Sequence, residues 1–188
     1  MTSTELRNLA VLTITSPAEA ARQVLANCPP RDVLWLAFAL AVVLNTLVQA
    51  ASALLFPVVD PELQVLYDPV WQVLFTTAGA LLLSIGAFFL IGRLFGGEGS
   101  FDGIMALLIW LQYLQVAAQA LIFFIVMILP GLFRPLILAM SLFSLYITLH
   151  FLNQAHRFGS LGKSFLVILI SGVAAIPFVL LLTPGGPE

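Results

Sequence analysis

Amide and hydroxyl side chains recur at helical spacing inside segments that are otherwise apolar, and any chemistry of this chain must begin with them. Asn45, Gln49 and Ser52 fall at i, i+4 and i+7, while Gln112, Gln115 and Gln119 fall at i, i+3 and i+7. Gln72, Thr76, Gly79 and Gly86 form a third row, and Ser141, Ser144 and Thr148 a fourth. Residues at these intervals share one face of a helix. An amide without a partner in hydrocarbon costs several kcal/mol, so each row must turn toward another row or toward something that enters the bundle. Two uses are open. The rows can be interhelical glue, each bond contributing roughly 0.6–2 kcal/mol. Alternatively, they can line a polar path for a headgroup or small solute, or dock another membrane protein.

The remaining reactive groups are few. His150 and Gln154 stand at i, i+4, and His156 lies beside Arg157 at the expected water boundary. The nearest acids, Glu98 and Asp102, belong to another loop, so no metal site is expected. The histidines and Arg157 are expected to act at the interface, bonding to loops or headgroups. Cys28 is the single cysteine and has no disulfide or zinc companion. It reads as a buried or interfacial thiol, with a reversible lipid attachment site as the alternative. No Asp, Glu, Lys or Arg stands at the centre of an apolar stretch, where ion-coupled pumps keep such groups. Hydrolysis would need a nucleophile with its base, a carboxylate pair or an open metal position, and the serines have no matching His or Asp at mid-membrane. Neither enzymatic activity nor a cofactor is therefore expected.

The elements that must position these groups follow from hydropathy. Of 188 residues, 61% are hydrophobic and 9% charged, with a mean hydropathy of +1.10, whereas soluble domains carry about 25% charged residues. A helix crosses the roughly 30 Å hydrocarbon layer with about 20 residues. Five stretches qualify, at Val33–Phe56, Pro69–Phe95, Ile104–Leu129, Pro135–Leu152 and Ser164–Leu182. Pro57 and Pro61, Gly96-Gly97-Glu98-Gly99, Pro130-Gly131, and Gly159 with Gly162 punctuate them. The expected fold is all-α, a polytopic membrane bundle of five transmembrane helices with a short N-terminal amphipathic arm. Residues 1–32 form the arm, 33–182 the bundle and 183–188 an outer tail. By rise along the helix, Asn45 and Gln115 reach similar depth, roughly 17–18 Å from the inner ends.

Charge sets the orientation. Arg7, Arg22, Arg31, Arg93, Arg157 and Lys163 fall on one side of such a bundle. The other side receives Arg134 with Asp60, Glu62, Asp68 and Glu188. The inside-positive bias places the N-terminus in the cytoplasm and the C-terminus outside. The first apolar stretch is too long and too far from the start to resemble a cleaved signal. A net charge of −2 offers no basic surface for nucleic acid. In the arm, Ser16-Pro17-Ala18-Glu19 reads as a capping box opening a short helix through Cys28, closed by Pro29-Pro30. That helix is expected to lie in the headgroup plane or to cover the inner end of the bundle. The loop Gly96-Gly97-Glu98-Gly99-Ser100-Phe101-Asp102-Gly103 reads as a tight turn making neighbours of the second and third spans. Gly79, Gly86, Ser171, Gly172 and Ala175 permit close backbone approach, and Pro177 should bend the last helix.

Four features together resemble the prokaryotic branch of the Yip1 domain family. They are Ser16-Pro17-Ala18-Glu19-Ala20-Ala21-Arg22 in the arm, five closely spaced spans, Gly96-Gly97-Glu98-Gly99-Ser100-Phe101 before the third, and Trp110-Leu111-Gln112 within it. The resemblance covers nearly the whole chain and implies a five-span membrane fold with a cytoplasmic N-terminus. Eukaryotic members bind Rab GTPases, assemble with related membrane proteins and act in vesicle trafficking and membrane shaping. Their acidic aromatic motif in a long cytoplasmic arm is missing here. Leu66-Tyr67-Asp68-Pro69 falls on the outer loop, so no GTPase-binding role carries over.

The expectation is thus a non-enzymatic protein of the bacterial inner membrane acting by association, as a scaffold or as an accessory subunit of a larger complex. Its partners would be membrane lipids and other membrane proteins or a second copy. The alternative is a translocator of lipid or small solute along the amide rows.

Overall fold

Long apolar runs satisfy their backbone in lipid by forming helices, and the described residues of the computed structural model are helical with no strand. The structure describes residues 3–55 and 69–182, with side chains for 4–54 and 69–177. Pro57, Pro61, Asp60, Glu62, Leu66-Tyr67-Asp68, Glu188 and the proposed tail 183–188 lie outside the described residues. The elements are α1 (Ser3–Thr15), α2 (Pro17–Ala26), α3 (Arg31–Leu55), α4 (Val70–Leu94), α5 (Phe101–Ile128), α6 (Phe133–His156) and α7 (Leu161–Leu182). A 3-10 turn at Pro130–Leu132 leads into α6.

Four helices, α3 to α6, are long and apolar enough to cross a membrane. The fifth is apolar but shorter over the residues that qualify, Leu161–Pro177. Large apolar side chains such as Leu36, Leu54, Leu90, Leu94 and Ile128 stand exposed around the outside. Hydrocarbon chains are the solvent that suits them.

At the centre stands α5, whose residues Gly103 to Ile109 are all buried. A helix that is apolar all round must be surrounded all round. On one side, Ile104, Met105 and Leu108 join Leu34, Ala41 and Val42 of α3 and Leu81 and Ile85 of α4. On the other, Leu107 and Leu111 join Ile147 and Phe151 of α6 with Leu9, Ala20 and Ala21 of the arm. The arm therefore completes the core at one end of the bundle, the arm end. Its two helices form a hairpin packed on α5 and α6, with Ala20 and Ala21 fully buried.

Sequence spacing shows only the second arm helix, and α1 is an addition from the structure. Ser16 does precede α2, and Pro17 is its first residue, but Ser16 makes no side-chain cap. Both donors of a capping box are already taken by backbone: the Glu19 N–H donates to the Ser16 carbonyl at 3.0 Å and the Ser16 N–H to the Leu12 carbonyl at 2.7 Å. Glu19 pairs with Arg22 instead.

Candidate functional site

The polar rows are set by helix phase. The polar rows of α3, α5 and α6 meet around a cavity of about 770 Å³. All five long helices contribute to its wall. From α3 come Gln49 and Ser52, from α5 Gln112, Gln115 and Gln119, and from α6 Ser141, Ser144 and Thr148. Ser84 and Phe88 of α4 and Ile168 of α7 complete the circuit. Among the described residues, the lining holds no Asp, Glu, Lys, Arg or His.

Within the cavity the side chains differ in how far they are satisfied. Gln115 Nε2 donates to Ser144 Oγ at 2.6 Å, tying α5 to α6. Gln49 donates to Asn45 Oδ1 on its own helix. Ser84, Ser141 and Thr148 each return their hydroxyl to the carbonyl four residues back, at 2.8–2.9 Å, the usual habit of such residues within helices. Gln112, Gln119 and Ser52 make no hydrogen bond among the described residues.

Two members of the expected set stand apart. Asn45 is buried at 6% exposure and is held by Gln49 rather than by the equally deep Gln115. Thr76 donates to the Gln72 and Val73 carbonyls of its own helix and does not reach the cavity. Two interhelical bonds give no sign at the level of sequence spacing. Tyr113 Oη donates to the Ala37 carbonyl at 2.7 Å, joining α5 to α3. Trp110 Nε1 donates to Thr13 Oγ1 at 3.0 Å, fastening α1 to α5.

A second polar cluster closes the arm end of the bundle. His156 was expected at the water boundary, but its side chain is 1% exposed. Gly92 at the end of α4, and Gly97 and Gly99 in the following loop, lie so close that a Cβ on any of them would overlap the imidazole. Nδ1 accepts from the Gly99 N–H at 3.3 Å, and Nε2 faces the Phe88 carbonyl at 3.0 Å. An acceptor at Nδ1 and a donor at Nε2 describe the neutral ring. His156 thus bolts the 96–99 loop and the end of α4 to the end of α6. His150 stays on α6 with its ring edge-on to Tyr146 at 4.7 Å.

Around this bolt, Glu98 pairs with Arg157 at 3.3 Å and Asp102 with Arg31 at 2.9 Å. The acids are engaged with arginines, and no grouping of three or more metal-ligating side chains occurs among the described residues. Arg157 ends α6 in the left-handed conformation, φ 54°, and Phe158 N–H bonds back to the Asn153 carbonyl at 3.2 Å. Cys28 sits beside Asp102, its Sγ 3.7 Å from the Asp102 carbonyl. Burial first, and the Asp102 charge second, push its thiol pKa up.

Comparison with known proteins adds one match: the Yip1 domain model covers residues 11–183. No curated protein and no solved structure matches the chain.

Proposed function

The chain belongs to the Yip1 domain family, and from that premise we propose that it is a non-enzymatic, multi-pass protein of the bacterial inner membrane that works by association, as a scaffold or as an accessory subunit of a larger complex. In this view α7 is a fifth span, the N-terminus is cytoplasmic and the C-terminus is outside, as the inside-positive distribution of arginine and lysine favours.

One observation carries the proposal. Gly79 and Gly86 of α4 and Gly172 of α7 have open space where a Cβ would stand. Small residues in spanning helices serve close helix packing, and among the described residues nothing lies within 4 Å of a Cβ built at these three. Their surface is available to a second copy or another membrane protein. Purification in mild detergent, mass measurement and crosslinking test this. A stable assembly is expected, weakened by Gly79→Leu or Gly172→Leu; a particle that is strictly monomeric and captures no neighbour overturns it.

The cavity favours a second reading, a translocator of lipid or small solute. Replacing Gln49, Gln115 and Gln119 with leucine should abolish flux in proteoliposomes while leaving the assembly intact. Absence of flux from the wild-type protein retires this alternative.

A further inference from the structure

We infer that the central cavity is a binding site for an uncharged lipid whose head carries hydroxyl or carbonyl groups. The inference deepens the cavity reading above by naming the occupant, and it is independent of the association proposal.

The wall is two-sided in character. Thirteen of the 22 lining side chains are apolar and nine are amides or hydroxyls. The free polar groups are specific: Gln112 and Gln119, on one face of α5 and about 10 Å apart by helix rise, with Ser52 of α3 contributing to the same wall. A glutamine amide offers two donors and an acceptor, so ester carbonyls and a free hydroxyl answer it directly. Leaving such groups dry and unpaired would cost several kcal/mol each.

Charge selects among ligands. A phosphate headgroup calls for Lys, Arg or a backbone anion site, and no basic side chain lines the cavity. A free fatty acid carboxylate is disfavoured for the same reason. Size and enclosure select further. The volume of about 770 Å³ falls within the roughly 300–1,000 Å³ of small-molecule sites. All five long helices contribute to the wall, so an occupant has to thread between them, and a partner's helix, about 10 Å across, is too rigid and too wide to follow their polar and apolar patches. A flexible acyl chain can follow them.

A diacylglycerol serves as the probe, having two ester carbonyls, one hydroxyl and no charge. The full-length protein is placed in nanodiscs of phosphatidylcholine with a diacylglycerol carrying a diazirine on one acyl chain, irradiated, and mapped by mass spectrometry. Labels are expected within 108–126 and 133–148, displaced by excess unlabelled diacylglycerol and not by equal phosphatidylglycerol or oleic acid. Gln112→Leu with Gln119→Leu should cut the cavity label at least fivefold. Ile122→Trp, which fills the space without touching the amides, should do the same and serves if the double variant fails to fold. Labels confined to the outer faces, equal displacement by phosphatidylglycerol or oleic acid, or undiminished labelling of both folded variants would overturn the inference. So would a crosslink from the cavity to another protein. Oligomer mass and flux are separate readouts, so losing either leaves this result standing.

Discussion

The imidazole of His156 shows how little of a residue's role its neighbours in sequence reveal. It follows an apolar stretch and precedes an arginine, which places it at the water boundary by pattern. The fold buries it instead, because Gly92, Gly97 and Gly99 leave a cradle that any side chain would fill. In sequence those glycines read only as a helix end and a turn; their spacing cannot say what they surround. Gly97→Ala or Gly99→Ala should lower stability by about 1–3 kcal/mol, the usual cost of overpacking. Thermal unfolding in detergent measures it. The penalty should shrink in a His156→Ala background, since the clash needs both partners. Arg157 gives the opposite sign. A non-glycine residue in the left-handed region costs about 1–2 kcal/mol, while its ion pair with Glu98 is exposed and contributes little. Arg157→Gly should therefore leave stability unchanged or raise it, even though it removes a salt bridge. Cys28, whose thiol pKa is raised by burial and then by Asp102, should react with maleimide more slowly than a free thiol at pH 7.5, and faster after Asp102→Asn, measured by mass shift over time.

At the scale of elements, the spanning helices were the legible part, and their faces were partly so. Each apolar stretch became a helix within a few residues of its expected ends, because length and hydropathy act locally. The polar rows also held their phase, which follows from helical periodicity alone. What periodicity cannot supply is the partner: Gln115 meets Ser144, whereas Asn45 bonds to its own helix through Gln49. The arm was the least legible element. Leu9 and Thr13 of α1 are one helical turn apart and buried, but the segment's charges and polar residues mask so short an apolar stripe. Its contacts predict its importance. Thr13→Val removes the acceptor for Trp110 Nε1 at a nearly constant volume and should cost about 1 kcal/mol. Removing residues 1–15 should do more, uncovering Leu107, Leu111, Ile147 and Phe151 together. The measurable outcomes are a lower unfolding temperature and faster proteolysis between α2 and α3.

For the whole molecule, the geometry couples a closed end, where the arm packs, to a more open middle. The closed end is tied by His156 and by the arm; the middle holds the cavity and, among the described residues, a single side-chain bond between α5 and α6. Stiffness at one end and space beyond it suit a bundle that admits a ligand between its helices without losing its fold. The direction of that asymmetry across the membrane depends on topology, for which charge supplies the argument. Arg7, Arg22, Arg31, Arg93, Arg157 and Lys163 lie on α1, α2, the start of α3, the end of α4, the end of α6 and the first turn of α7, all at the tied end, while Arg134 begins α6 at the other. Moving six cations across an apolar layer is far costlier than moving one, so the tied end should face the cytoplasm. In a Cys28→Ser background, Glu188→Cys should be labelled by a membrane-impermeant maleimide in intact cells, and Glu98→Cys only after lysis. The reversed pattern would turn the molecule over, and labelling of both sites from outside, or of neither, would mean that one of α5 to α7 does not cross. With the tied end inside, the cavity, whose wall runs along the far halves of α5 and α6, would lie toward the outer leaflet, so a lipid supplied there should reach it sooner than one supplied from the cytoplasmic side.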